Sequence, residues 1–142
     1  ALRAALADGT IDAVATDHAP HARHDKEHAF TEAAFGMLGL ETSLSVVSDV
    51  MVRGGLLDWA GVARVMSVAP ARIAGLAAHG QALAVGSPAH LTLVDTDATV
   101  TVDRSASLSL SRNNPWHGRT LRGAVHTTVF GGRVTAQKGA IA

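Results

Sequence analysis

One short stretch near the start of the sequence constrains the fold most, because an apolar run there ends abruptly in polar groups. Residues 11–16 are apolar on both faces, which is typical of a buried parallel strand in an α/β protein. Pro20 cannot donate a ladder hydrogen bond, so a central strand must end before it. Asp17, His18 and His21 therefore lie where a barrel strand would present catalytic groups at its carboxyl end.

Asp17, considered alone, has several chemical interpretations. A carboxylate beside imidazoles at the end of a strand can bind a metal, act as a general base or cap a turn. Metal-assisted hydrolysis would use it well, because a metal-bound water has a pKa of about 7 and an adjacent carboxylate can transfer its proton. A turn or capping role is the more common use of a lone aspartate at such a junction.

Histidine is concentrated in and after this stretch, where four of the eight histidines lie: His18, His21, His24 and His28. Imidazole nitrogen is a common zinc ligand, so His18 and His21 are candidate ligands. The chain has no His-x-His, no Glu-x-x-His and no cysteine to complete a set of four ligands. A self-contained zinc site is therefore not predicted, and His24 and His28 are interpreted as solvated loop residues.

The rest of the sequence divides into a helical part and a β-type part. Residues 1–7 fit the last turns of a helix that Gly9 ends, and residues 19–30 are expected to form a surface loop. An apolar stripe then recurs at helical spacing: Leu40, Leu44, Val47 and Met51. Asp58 is the predicted N-cap of the next helix, and residues 71–74 are predicted to form a short one. Three short β-type runs follow: 83–94, 100–102 and 125–134.

Composition excludes several classes of function. The 142-residue chain is 17% charged with a formal net charge of +0, and nothing indicates nucleic-acid or membrane-surface binding. No apolar run approaches the roughly 20 residues that span a bilayer. The absence of cysteine excludes disulfides, and a cytoplasmic location is expected. The sequence begins without methionine, in the middle of a helical pattern, and we expect it to be part of a longer protein.

Four blocks of sequence resemble the C-terminal third of the dihydroorotase family in the amidohydrolase superfamily: 11–21, 34–42, 69–72, and 111–115 with 129–134. The resemblance implies an α/β fold class, in which the last strand and helices of a TIM-type barrel precede part of a small β-sandwich. Residues 1–78 would belong to the barrel and residues 79–142 to the sandwich. One departure is His90, which stands where the family has a structural aspartate.

The resemblance also implies roles for individual residues. Asp17 would be a zinc ligand that also shuttles a proton, with one or two zinc ions held mainly by upstream residues. His21 would contact the substrate, and the main chain of Phe35 and Gly36 would lie against its ring. His18 would support the site without binding metal.

The implied activity of the full-length protein is the reversible hydrolysis of L-dihydroorotate to N-carbamoyl-L-aspartate in pyrimidine biosynthesis. The 142 residues alone are expected to be inactive and poorly stable. Two alternatives stay open: a hydantoinase-like or allantoinase-like cyclic amidohydrolase, against which His21 argues, and a non-catalytic homologue that acts as a structural partner. A homodimer and an association with aspartate transcarbamoylase are possible assemblies, whereas nucleic-acid and membrane partners are not expected.

Overall fold

The fold, described for residues 1–142 by a computed structural model, is a set of short helices packed beside one antiparallel sheet. The helices are α1 (Leu2–Asp8), α2 (Arg23–Lys26), α3 (Ser43–Val47), α4 (Trp59–Ala63) and α5 (Ala69–Ile73). The strands are β1 (Leu91–Thr101), β2 (Thr120–Phe130), β3 (Arg133–Gln137) and β4 (Ala140–Ile141), with a 3-10 turn at Arg104–Ala106. No helix is long and apolar enough to cross a membrane.

Helix boundaries follow local sequence signals. Gly9 ends α1 in the left-handed conformation with φ of 89°, as predicted. Asp58 caps α4, because its carboxylate accepts a hydrogen bond of 2.7 Å from the amide of Gly61. Two π-helical turns, Ser48–Val52 and Arg64–Val68, extend α3 and α4, and the second leads directly into α5. The short helix predicted at 71–74 therefore begins earlier, as the end of a longer helical rod.

The helical part has a small apolar core. It consists of Leu6, Val47, Met51, Val62 and Val65, with Val65 fully buried. The predicted stripe is confirmed at Val47 and Met51, but Leu40 is 60% exposed because it precedes the helix.

Residues 11–16, where the sequence predicts a buried strand, form no ladder within this chain. A parallel strand needs a hydrogen-bonded neighbour, and no other segment of the 142 residues supplies one. Val14 instead donates a 3.0 Å backbone bond to Val65, and Ile11 packs against the apolar core. The helices thus support the stretch from one side and leave its end free to carry polar groups.

The sheet is a four-stranded meander in the order β1–β2–β3–β4. Gly131 and Gly132, both with positive φ, form the two-residue turn between β2 and β3. The predicted run 83–94 is wrong before Leu91, since residues 83–90 lie outside any strand. The predicted runs 100–102 and 125–134 overlap the ends of β1, β2 and β3.

His90 packs at the turn between β2 and β3. Its Nδ1 accepts a 3.2 Å bond from the amide of Gly131, so it holds the turn after β2. Its ring also packs against Phe130, with centroids 4.6 Å apart, and stacks on His79 at 4.4 Å. The departure from the family aspartate is therefore accommodated by local packing.

The sheet and the helices meet at Gly123 in β2. Its φ is +87°, and an added Cβ would lie 3.0 Å from Ser48 Oγ and 3.3 Å from Trp59. The hydroxyl of Ser45 donates a 2.5 Å bond to the carbonyl of Gly123. A glycine here lets the backbone of β2 approach α3 and the π-helical turn Ser48–Val52 that extends it.

Candidate active site

Asp17 directly follows the stretch 11–16 and has an exposed side chain and an unusual backbone conformation. Its φ is +46°, a left-handed value that aspartate tolerates better than most residues and that costs on the order of 1 kcal/mol. No ion pair of the chain includes its carboxylate. The chain therefore turns sharply at Asp17 and leaves a free acid at the surface.

The segment after Asp17 lies against residues 36–40. His18 and Met37 form an isolated parallel β-bridge, and the amide of Ala19 donates a 2.9 Å bond to the carbonyl of Met37. Gly39 also lies close to the preceding stretch, because an added Cβ would be 3.0 Å from the carbonyl oxygen of Thr16. This close contact brings Asp17 and the loop containing Gly36 together. We call residues 17–40 the site wall.

His18 fixes this wall through its ring. Its Nδ1 accepts bonds from the amides of Gly39 at 3.1 Å and Leu40 at 3.3 Å. Since amides only donate, this nitrogen carries no proton and the ring has its proton on Nε2. Nδ1 is thus bonded to the backbone, and the supporting, non-ligand role of His18 stays a prediction.

The structure brings His21 and Gly36 together. Gly36 has φ of +113°, and an added Cβ would lie 3.0 Å from His21 Nε2 and 2.5 Å from the Cβ of Ala19. The half-buried imidazole therefore lies directly against the glycine backbone. Phe35 is 94% exposed, so its side chain makes little packing contact. The three residues predicted to contact substrate are neighbours in space.

Lys26 on α2 bonds to the backbone of the loop that contains Gly36. Its ammonium donates to the carbonyl of Ala34 at 2.6 Å and to that of Gly36 at 3.1 Å. The helix was not predicted, because residues 19–30 were expected to be a loop throughout. Four residues are too few to give a periodic signal, and α2 forms where Lys26 can reach the loop.

A segment from the sheet side completes the wall. The side-chain amide of Asn113 donates to the carbonyls of Ala19 at 3.0 Å and Gly36 at 3.2 Å. The carbonyl of Asn113 accepts from the amide of Leu38 at 3.1 Å. The hydroxyl of Ser111 donates a 2.7 Å bond to the carbonyl of His21. The sequence offered Ser111 and Asn113 only as part of a family block, with no signal that joined them to the site.

A cavity of about 570 Å³ adjoins His21 on this side. Its charged lining is mainly cationic: Arg23, Lys26, Arg104 and Arg112, with one acid, Glu27. That acid is paired with Arg23 at 2.5 Å, which raises the pKa of the guanidinium. Three cations are left without an acidic partner in the cavity, so its field favours an anionic ligand.

Comparison with known proteins identifies the family. The sequence profile described as "Amidohydrolase family" matches residues 1–135. The chain belongs to the amidohydrolase family. Proteins named dihydroorotase from Mycobacterium leprae and Streptomyces coelicolor are 56% and 54% identical to it over 137 and 139 residues. Those matches cover 96% and 98% of this chain but 32% of each relative, so the chain spans about a third of their length.

Solved amidohydrolase relatives share the fold of this chain. The L-hydantoinase (dihydropyrimidinase) from Arthrobacter aurescens matches with a TM-score of 0.91 and 36% identity over 99% of this chain and 32% of that one. The D-hydantoinase from Thermus sp. matches with a TM-score of 0.84 and 27% identity over 99% of this chain and 31% of that one. The predicted fold class, the C-terminal part of a TIM-barrel amidohydrolase, is confirmed.

Membership of the amidohydrolase family implies a metal cofactor, and the chain fits only part of such a site. No three His, Asp or Glu side chains of this structure converge closely enough to hold a metal ion. The exposed, unpaired carboxylate of Asp17 can supply one hard oxygen ligand. His24 is 84% exposed beside Asp25, in agreement with its interpretation as a solvated residue. A complete metal centre would therefore need ligands from outside these 142 residues.

Proposed function

We propose that the full-length protein containing this chain is a zinc-dependent dihydroorotase. It would interconvert L-dihydroorotate and N-carbamoyl-L-aspartate in pyrimidine biosynthesis. The observation that carries the proposal is the contact between the His21 ring and the Gly36 backbone beside a cationic cavity. An imidazole and main-chain groups suit a flat, anionic cyclic amide, and the names of the relatives agree with this substrate.

The residues of this chain would have distinct roles in the reaction. Bound metal would supply Lewis acidity and lower the pKa of a water molecule. Asp17 would be one metal ligand, and its carboxylate would pass a proton from the attacking water to the ring nitrogen as the amide C–N bond opens. His21 would hold the substrate carboxylate by a charge-assisted hydrogen bond. The main chain at Phe35 and Gly36 would orient the ring.

The test compares His21→Ala with His24→Ala in the full-length protein. Both variants remove an imidazole, but that of His24 is 84% exposed and lies beside the Asp25 carboxylate. We expect His21→Ala to raise KM for dihydroorotate about tenfold or more, because a charge-assisted bond of roughly 1.5 to 3 kcal/mol is lost. His24→Ala should behave as the unmodified protein. Equal kinetics of the two variants would contradict the role of His21.

A hydantoinase-like activity is the second candidate, since the Arthrobacter aurescens L-hydantoinase shares 36% identity and a TM-score of 0.91 with the chain. Turnover of dihydroorotate, hydantoin and allantoin by the full-length protein separates the two. A preference for hydantoin that is insensitive to His21→Ala would favour the second candidate. Lack of zinc and of all three activities would favour the non-catalytic homologue.

Assembly and location are predictions that rest on the sequence alone. A homodimer, an association with aspartate transcarbamoylase and a cytoplasmic location can each be tested on the full-length protein. The proposed domain division at residues 78 and 79 would be tested by limited proteolysis of that protein.

A further inference from the structure

Asn113 makes a set of contacts that the proposed chemistry does not use. Its Nδ2 donates to two carbonyls from separate segments, Ala19 at 3.0 Å and Gly36 at 3.2 Å. Ala19 lies between Asp17 and His21 in the chain, and Gly36 is the backbone against the His21 ring. One side-chain amide thus joins the two segments that form the substrate side of the site.

The two bonds that Nδ2 donates explain why residue 113 is an asparagine. Both protons of Nδ2 have acceptors, whereas Oδ1 of Asn113 is buried and has no hydrogen-bond partner. A flipped amide would place Oδ1 against two carbonyl oxygens and lose both bonds. An aspartate would do the same and add a negative charge. The contact therefore requires a donor of this shape.

Neighbouring contacts make the segment a clamp. The carbonyl of Asn113 accepts from the amide of Leu38, and the hydroxyl of Ser111 donates to the carbonyl of His21 at 2.7 Å. The backbone on both sides of the His21–Gly36 contact is thereby held from the sheet side. Nothing else in the structure bonds both Ala19 and Gly36 through one side chain.

We propose that Asn113 is a positioning residue that sets the separation between the His21 imidazole and the Gly36 backbone, and with it the affinity for substrate. The proposal rests on the proposed function, because the substrate side of the site is defined there. Asn113 touches no reacting atom. It acts through the carbonyls of Ala19 and Gly36.

The test uses two isosteric changes one residue apart in the full-length protein, Asn113→Asp and Asn114→Asp. Asn114 uses its acceptor, since its Oδ1 accepts a 2.9 Å bond from the amide of Trp116, and an aspartate preserves that bond. Both variants add the same charge, but only Asn113→Asp removes the donor. We expect Asn113→Asp to raise KM about tenfold with kcat changed less than about threefold, and Asn114→Asp to alter neither.

Hydrogen exchange gives a readout that does not depend on activity. Amides of Ala19 and Leu38 should exchange at least about tenfold faster in Asn113→Asp than in Asn114→Asp, while amides of β1 and β2 keep their protection. Unchanged exchange at Ala19 and Leu38 would overturn the proposal whatever the kinetics. If the protein turns over no cyclic amide, the proposed function fails, and exchange alone decides the role of Asn113.

A second variant covers a failure to fold. Asn113→Ala removes the donor without adding charge next to the two carbonyls. Faster exchange confined to residues 17–40 in a folded Asn113→Ala protein supports positioning. Unfolding of both Asn113 variants, with Asn114→Asp folded, would overturn it and make Asn113 a determinant of global stability.

Discussion

The sheet and the site wall (residues 17–40) of this chain are held together in different ways. β1 and β2 pair residue by residue along a backbone ladder, from Leu91 with Val129 to Thr101 with Thr120. The wall has a single β-bridge, between His18 and Met37. Scattered backbone bonds such as that from Ala19 to Met37 contribute, and the side chains of His18 and Asn113 also bond to backbone groups there. A ladder tolerates most single substitutions, whereas the wall depends on a few particular residues.

The strongest expected effect tests the tight contact in the wall. Gly36→Ala would place a Cβ 2.5 Å from the Ala19 Cβ in a residue with φ of +113°. Strain and overpacking together should cost about 3 kcal/mol, measured by denaturant unfolding of the full-length protein. Gly55→Ala is the matched control, because φ is +68° there but nothing lies within 4 Å of the added Cβ.

The control should lose only about 1 kcal/mol, the cost of the left-handed backbone. A similar loss of unfolding free energy in both variants would mean that the contact between Gly36 and Ala19 adds nothing to the cost of the positive φ. Steady-state kinetics of the same two variants provide a second measurement. Gly36→Ala should displace the His21 ring and raise KM, whereas Gly55→Ala should not.

A smaller effect tests the ring of His18. His18→Gln removes the acceptor at the Nδ1 position, while His18→Asn keeps an oxygen acceptor close to it. We expect His18→Gln to destabilise the wall by about 1 kcal/mol, because the amides of Gly39 and Leu40 lose their partner and are only partly compensated by water. Hydrogen exchange at these two amides is the measurement.

His18→Asn should restore most of the protection lost in His18→Gln. If the asparagine variant exchanges as fast as the glutamine variant, the geometry of Nδ1 is not what holds Gly39. Intact β-sheet protection in both variants would confirm that the ladder and the wall respond independently.

The same contrast explains what the sequence could predict. The Asp58 cap and the Gly9 helix end depend on residues within a few positions of one another, so local patterns predict them. The bond from Asn113 to Ala19 joins residues 94 positions apart, and no pattern encodes that distance. Asp17 and His21 are candidates because they follow an apolar run, and a family motif adds their predicted roles. No sequence pattern indicates the residues that hold them in place.

The strand predicted at 11–16 shows a second reason for failure. The expectation that both of its faces are buried is confirmed for one face only, because Ile11 and Val14 pack against the helical core whereas Asp12 and Ala15 are exposed. Pairing, however, is a property of two strands, and the neighbouring strands of a barrel are not among these residues. Local chemistry therefore predicts an apolar segment here, but it does not supply the hydrogen-bond partner or the cover for its second face.

The smallest effect tests a local contact at the sheet end. The hydroxyl of Ser105 donates to Asp103 at 2.7 Å, and this bond, with that of the Ser105 amide at 2.8 Å, lowers the pKa of the carboxyl. A lowered pKa means that the contact stabilises the turn above the ordinary aspartate pKa. The stabilisation is lost as pH falls through the lower folded value.

Carboxyl carbon NMR titration of the full-length protein measures this directly. Ser105→Ala should raise the pKa of Asp103 toward its ordinary value, because the hydroxyl bond is the largest cause of the shift. Ser107→Ala is the matched control, since that hydroxyl donates to Glu41 at 2.7 Å. An unchanged pKa of Asp103 in Ser105→Ala would contradict the role of the hydroxyl and leave the Ser105 amide bond and the charges of His117 and Arg104 as the cause. Ser105→Ala should not alter exchange at Ala19, because Asp103 makes no side-chain bond to the site wall.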